Sequence, residues 1–215
     1  HEYLQARTPN PCVMCNNKLK FSYLIKKADE MKCEFVATGH YAKVVRDADG
    51  RETNLYKAID LHKDQSYFLF GLKQNQLSRA IMPLGDLLKS NVRKMADTFK
   101  LPVADKKDSQ EICFIDEGGY QEFVHQRTND RYRPGGPVVT QDGHILGRHT
   151  GIFRYTVGQR KGLGLDKPEH QDFYVIGFDV KLNAVIVGPE SDLLKASLVA
   201  VDCNWIGLID FSKGV

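Results

Sequence analysis

A helix-spaced apolar set, then a buried-looking strand, then a glycine turn: this succession constrains the chain most. Phe21, Leu24, Ile25, Ala28 and Met31 recur at helical spacing, with Asn16 or Asn17 placed to cap the helix. Cys33–Thr38 then reads as a short strand, ended by Gly39-His40. Helix, strand, glycine turn is the grammar of a parallel α/β sheet. Such sheets bind ligands beyond the carboxyl ends of their strands, which makes Gly39 and His40 candidate site residues. Asp49-Gly50 marks the turn of a hairpin between Tyr41–Val45 and Leu55–Ile59.

Three zones follow from the patterning. Residues 1–72 carry the α/β pattern. Residues 73–133 read as helical: Ser90 is placed to cap a helix with Val92, Met95, Ala96 and Phe99 on one face. Lys100-Leu101-Pro102 ends that helix, and a short one is expected over Tyr120 to Gln126. Residues 134–215 read as β structure. Val138–Thr140 and Ile145–Gly147 flank Asp142-Gly143, and Phe173–Phe178 and Ala184–Val187 flank Asn183. An antiparallel barrel or sandwich, cut short soon after Trp205, is the expectation.

Composition narrows the class. The chain has 215 residues, 42% hydrophobic and 27% charged, which suits a globular protein with a real core. No apolar run reaches the length of a membrane span. Five cysteines are too few for a secreted disulfide scaffold, so a reducing, cytoplasmic setting is expected. Net charge is only +3 but uneven. Arg131, Arg133, Arg148, Arg154, Arg160 and Lys161 face only Asp142 in their window. Such an excess fits a polyanion partner such as RNA, or a solvated basic face.

Two cysteines sit in unusual polar contexts. Cys15 closes Thr8-Pro9-Asn10-Pro11-Cys12-Val13-Met14-Cys15, and Cys113 lies in Lys106–Ile115. A structural zinc site needs about four ligands, and no second Cys-x-x-Cys pair exists. Prolines 9 and 11 are expected to stiffen an extended loop. If Asn16 begins the helix, its dipole with Lys18 and Lys20 favours a nucleophilic Cys15. A small buried hydrophobe is the alternative. At Cys113 the choice is between an activated thiol beside Lys106 and Lys107 and an inert one. Cys33 and Cys203 fall in apolar runs and read as inert core residues. Lys63-Asp64-Gln65-Ser66 suits anion or base contacts, or simple capping by Asp64. Gly158–Gly164 is basic and glycine-rich but matches no nucleotide fingerprint; a phosphate-touching loop and a plain turn both fit.

Taken together, five blocks resemble the tRNA-specific 2-thiouridylases of the MnmA type: Thr8–Asn16, Ala37–Tyr41, Lys63–Phe68, Lys106–Ile115 and Thr156–Gly164. They occur in the family's order. The resemblance implies an adenine-nucleotide alpha-hydrolase-like (PP-loop ATPase) domain in residues 1–72, a central helical domain over 73–133 carrying Cys113, and the start of a C-terminal β-barrel over 134–215. It implies ATP-dependent sulfur transfer to the wobble uridine of tRNA, with ATP and Mg2+ as substrate and no bound metal or prosthetic group. Cys113 would carry a persulfide. Cys15 would attack its inner sulfur or assist release of the outer one, leaving a Cys15–Cys113 disulfide. Asn10, Pro11 and Cys12 match the loop that meets the target base. Gly39 matches a nucleotide-binding position. His40, Lys63, Asp64 and Gln65 match tRNA contacts. Partners would be tRNA and an upstream persulfide donor, with no membrane, and the protein would be a monomer. Two departures stand out. The family's Ser-Gly-Gly-x-Asp-Ser phosphate loop has no counterpart and the family's C-terminal barrel continues past Val215, so the resemblance leads one to expect a chain truncated at both ends. Position 12 is Cys where some members carry Asp. Two other functions fit: a catalytically incomplete tRNA-binding fragment, and a small zinc or redox module built on Cys12 and Cys15.

Overall fold

The structure, a computed structural model, describes residues 2–102, 104, 123–124, 135–165 and 172–207. Cys113 and the rest of its block lie outside the described residues, as do Arg131 and Arg133. The chain divides into two units: Asn10–Asp108 with Ala200–Val215, and His1–Pro9 with Ser109–Val199.

The Asn10 unit opens on one continuous helical path. α1 spans Pro11–Met14, a π-helical stretch spans Cys15–Phe21, and α2 spans Ser22–Glu30. The helix thus begins at Pro11, not at Asn16 or Asn17 as the apolar spacing suggested. Pro11 at the first helical position has no N–H to waste, and its fixed φ suits the helix. Of the two prolines expected in an extended loop, Pro9 lies in irregular structure and Pro11 opens the first turn, and Cys15 lies one turn into the helix. α2 ends in a paired bond pattern: Lys32 N–H donates to Asp29 O and Cys33 N–H to Ala28 O, with Lys32 at φ +57°.

β1 (Val36–Ala37) pairs in parallel with β4 (Ala80–Ile81), confirming the parallel α/β reading. β4 is a strand inside the stretch that patterning made helical; at two residues it is too short to show a period. Between them β2 (Ala42–Arg46) and β3 (Thr53–Lys57) form the expected hairpin, in register Ala42↔Lys57 to Arg46↔Thr53. α3 (Gln74–Leu77) precedes β4, and the Gln74 amide behaves as an extra peptide group: it accepts from Thr53 N–H and donates to Thr53 O, both at 2.9 Å. α4 (Lys89–Thr98) is capped from afar. Its Lys89 N–H donates to Asp60 Oδ2 at 2.9 Å, so Asp60 does what Ser90 was expected to do, and Ser90 lies inside the helix. Phe21, Ala42, Leu69, Leu72, Leu77, Ala80 and Met82 form the core, with Ile206 packed against it.

The second unit is built on a four-stranded sheet in the order β6-β5-β8-β7. The strands are β5 (Gly136–Val139), β6 (Ile145–His149), β7 (Tyr174–Asp179) and β8 (Ala184–Gly188). Both expected hairpins are present, while β5 and β8 run parallel. The unit's glycine pair is sterically required. A Cβ on Gly135 would lie 2.0 Å from His149 O, and one on Gly136 would lie 2.0 Å from Asn183 O. The His149 ring is the pin at this junction. Its Nδ1 accepts from Gly136 N–H at 3.4 Å and Gly151 N–H at 3.1 Å, so its Nε2–H donates to Asn183 O at 2.8 Å. Burial pushes this imidazole below its ordinary pKa. Val138, Ile152, Leu163, Val175, Val185 and Val187 make the core beneath.

Candidate functional site

Three sequence blocks meet in the Asn10 unit, held by side chains that face inward. Asn16 follows Cys15 directly and is only 3% exposed. Its Nδ2 donates to Phe68 O at 3.1 Å, while its Oδ1 is buried without a hydrogen-bond partner. Phe68 closes the 3-10 turn Ser66–Phe68, which follows Lys63-Asp64-Gln65. Gln65 reaches the other way: its Oε1 accepts Tyr41 N–H at 3.0 Å and its N–H donates to Tyr41 O at 2.7 Å. Tyr41 follows Gly39-His40, and the His40 ring stacks on Phe21 with centroids 6.0 Å apart. These contacts bring together the helix bearing Cys12 and Cys15, the turn after β1, and the Lys63–Gln65 block.

The helical path itself is unusual at this point. π-helical geometry is rare and concentrates at functional sites. Here it begins at Cys15, and its Asn17 carbonyl accepts from Ser22 Oγ at 2.7 Å and Gln76 Nε2 at 3.3 Å. Pro11 and Cys12 form the first turn, where backbone N–H groups are unpaired within the helix. Asn10 stands at the N-cap without using its side chain as a cap, although capping is what Asn does best there. Its amide remains for another partner. Cys12 and Cys15 are both half-buried free thiols. Cys33 and Cys203 are exposed, so neither is the core residue that patterning suggested; each lies where the chain has left regular structure.

His40 is neutral at ordinary pH. Burial first, and the Lys20 charge second, push it from 6.5 to about 4. Thr38 Oγ1 shares a hydrogen bond with its Nδ1 at 2.9 Å. A neutral imidazole can donate or accept but cannot neutralise a phosphate. Gly39 has no left-handed φ, and a Cβ there would meet only Leu84 Cδ1, at 3.8 Å. The protein itself does not demand glycine at 39; the bare backbone at the carboxyl end of β1 leaves room for a ligand to approach. Asp64 is spent internally, its Oδ1 accepting Ala58 N–H at 2.8 Å and its Oδ2 the Ser66 hydroxyl at 2.7 Å. Sequence reasoning passed over Tyr67 and Phe70. They stand 67% and 47% exposed beside this block, with ring centroids 6.2 Å apart. Two exposed aromatics following a Lys-Asp-Gln run were the available signal. Among the described residues no group of three or more His, Cys, Asp or Glu side chains is arranged to hold a metal ion, and no helix is long and apolar enough to cross a membrane.

Residues 1–117 match the family described as tRNA methyl transferase HUP domain, and residues 121–189 match the tRNA methyl transferase PRC-barrel domain. The first match covers more than half of the chain. The chain belongs to this family. Its fold is accordingly a HUP domain, the PP-loop ATPase-like α/β class, joined to a PRC-barrel domain. Among curated proteins it is similar to the tRNA-specific 2-thiouridylase MnmA of Halothermothrix orenii, 47% identical over 97% of this chain and 57% of the relative. The MnmA proteins of Geotalea uraniireducens and Solibacter usitatus are 47% and 45% identical, over 96% and 99% of this chain and 54% and 58% of their own lengths. The chain therefore spans little more than half the length of these relatives.

Proposed function

We propose that this chain is the greater part of the working surface of a tRNA-uridine 2-sulfurtransferase. The observation that carries the proposal is the meeting of the Cys12/Cys15 helix, the Gly39-His40 turn and the Lys63–Gln65 block in one unit through Asn16–Phe68 and Gln65–Tyr41. The two names among its relations differ in the group moved, methyl or sulfur. Two free thiols at the head of a helix beside an unused Asn10 amide support sulfur. The similarity to proteins named 2-thiouridylase supports it as well.

In this reading the uracil 2-oxygen attacks the α-phosphate of Mg2+-bound ATP, pyrophosphate leaves and the uracil is adenylated, and the bare Gly39 backbone would lie against the nucleotide. The outer sulfur of a persulfide on Cys113 attacks C2 and AMP leaves. Cys15 then attacks the Cys113 sulfur, a Cys15–Cys113 disulfide forms, and 2-thiouridine departs as the leaving thiolate. Alternatively, Cys15 frees the outer sulfur as hydrosulfide before C2 is attacked. Either way one thiol pair is oxidised, and an external thiol reductant returns two electrons. Asn10, Pro11 and Cys12 meet the target base. Neutral His40, with Lys63 and Gln65, contacts the tRNA, while Asp64 serves by shaping their loop.

The test needs only the sulfur half of the scheme. The protein is incubated with a small-molecule persulfide and digested for peptide-resolved mass spectrometry. The reading requires a reductant-labile gain of one sulfur on the Cys113 peptide and none on Cys33 or Cys203. Equal labelling of all five cysteines, or none, would sink it and leave a tRNA-binding fragment with idle thiols.

A further inference from the structure

Loop 156–164 of the β unit is built, not merely turned. Thr156 N–H donates to Gln159 Oε1 at 3.1 Å, and Gln159 Nε2 donates to Lys161 O at 2.9 Å, so one amide spans the loop. The backbone adds Gln159 N–H to Thr156 O at 3.0 Å, Gly158 N–H to Val175 O at 2.8 Å and Val175 N–H to Gln159 O at 2.9 Å. Leu163 plugs it into the core. Gly158, Gly162 and Gly164 take φ of +89°, +72° and +67°, a path closed to other residues without strain. Thr156 Oγ1 also meets Thr8 Oγ1 at 3.0 Å, two residues before Asn10.

What this framework holds out to solvent is a pair of neighbouring cations. Lys161 is exposed, and its ammonium has no partner among the described residues. Arg160 lies over the Tyr174 ring at 6.0 Å and pairs with Asp172, itself 85% exposed. A surface pair of this kind is weak and readily exchanged. Arg148, exposed and likewise without a side-chain partner, has its carbonyl 3.8 Å from where a Gly164 Cβ would stand. The loop presents no aromatic to read bases, and its glycines leave backbone bare for close approach.

We propose that loop 156–164 is a phosphate-backbone clamp for RNA, with Arg160 as the planar donor and Lys161 as the point charge. The inference rests on the tRNA reading given above and adds a second contact surface on the other unit. Fixing the loop before RNA arrives removes part of the ordering cost of binding. Contacts to phosphate position without specifying, so the clamp is indifferent to tRNA sequence.

Fluorescence anisotropy with labelled unfractionated tRNA, across a salt series, tests it. The Arg160→Gln/Lys161→Gln double variant should bind about tenfold more weakly at low salt, with the log–log salt slope smaller by about two. Both side chains are exposed, so its melting temperature should match wild type. Gln159→Ala, which keeps both cations, should weaken binding by roughly threefold with the slope unchanged. A double variant with wild-type affinity and slope overturns the clamp while leaving the tRNA reading intact. Failure of the wild-type protein to bind tRNA overturns both. Wild-type preference for polyglutamate over tRNA reassigns the loop to an acidic protein surface and overturns the RNA assignment.

Discussion

Gln65 and Tyr41 exchange a pair of hydrogen bonds, one from side chain and one from backbone, at 3.0 and 2.7 Å. The geometry imitates a strand pairing, but between two loops. It fixes the residue that follows His40 and, through the same turn, the carbonyl that Asn16 holds. Gln65→Ala should therefore cost about 1 kcal/mol of stability and weaken tRNA binding beyond what the loss of one contact explains. Gln65→Glu keeps an acceptor at the same reach and should restore most of the stability. Urea titration and tRNA affinity on the two variants together would show whether Gln65 acts as a clamp.

Two helices end on the same uncommon choice. Lys32 after α2 and Lys100 after α4 each adopt a left-handed φ, +57° and +51°, where glycine is usual. The second repeats the bond pattern of the first: Lys100 N–H to Asp97 O and Leu101 N–H to Ala96 O. Lys32→Gly and Lys100→Gly should each stabilise the protein by roughly 1 kcal/mol, and additively, since the two caps share no partner. Destabilisation by either would mean that the lysine side chain contributes more than its backbone costs.

Acid should weaken the protein through its buried imidazoles. His40 and His149 both have pKa values lowered by folding. The unfolded chain therefore binds protons that the folded chain refuses. The stability they support is present above the ordinary histidine value of 6.5 and is lost as pH falls below it, down to about 4 for His40. At His149 burial is the main cause, followed by the neighbouring Arg148 charge, and the geometry agrees: a proton on Nδ1 would face the N–H groups of Gly136 and Gly151. The urea midpoint should fall between pH 7.5 and pH 5, and His149→Gln should flatten part of that slope. An unchanged midpoint over this interval would contradict the assignment.

Gly136→Ala should cost several kcal/mol, since the added methyl would lie 2.0 Å from the Asn183 carbonyl and 2.9 Å from His149 Nε2. Gly39→Ala should leave stability nearly unchanged, because only Leu84 approaches and at ordinary contact distance. Thermal melts of the two variants, with ATP affinity measured for the second, separate a glycine the fold requires from one kept for a ligand.

The hairpins were legible because Asp49-Gly50, Asp142-Gly143 and Asn183 name their own turns; Gly50, Gly143 and Asn183 all have positive φ. The parallel pairing was legible only from its first strand, because β4 is two residues long and its neighbours set its role. The start of α1 was written in Asn10-Pro11, an N-cap followed by a first-turn proline, and was obscured by reading both prolines as loop. The cap on α4 could not be found locally, since Asp60 reaches it across 29 residues of chain. Of the candidate site residues, Gln65, His40 and Cys15 lie in one unit, with Cys15 one turn into the helix rather than at its start. At Asp64 the two sequence readings are capping and external contact, and its hydrogen bonds to Ala58 N–H and the Ser66 hydroxyl favour the first.

The π-helical run from Cys15 to Phe21 also sets how this region responds to changes in chain length. A wider turn holds one residue that an ordinary helix would not need. Removing one residue between Asn17 and Lys20 would let the path close up as regular α-helix with its flanks facing as before; winding all 7 residues of the run as regular α-helix, with none removed, would not. In that second case hydrogen bonding would survive, but each residue of α-helix turns the chain by about 100°. Everything upstream, Asn10 and both thiols included, would swing to another face relative to Phe21 and the core. The bulge thus works as an angular spacer, and the aim of the thiols depends on how the run is wound as much as on the identity of its residues.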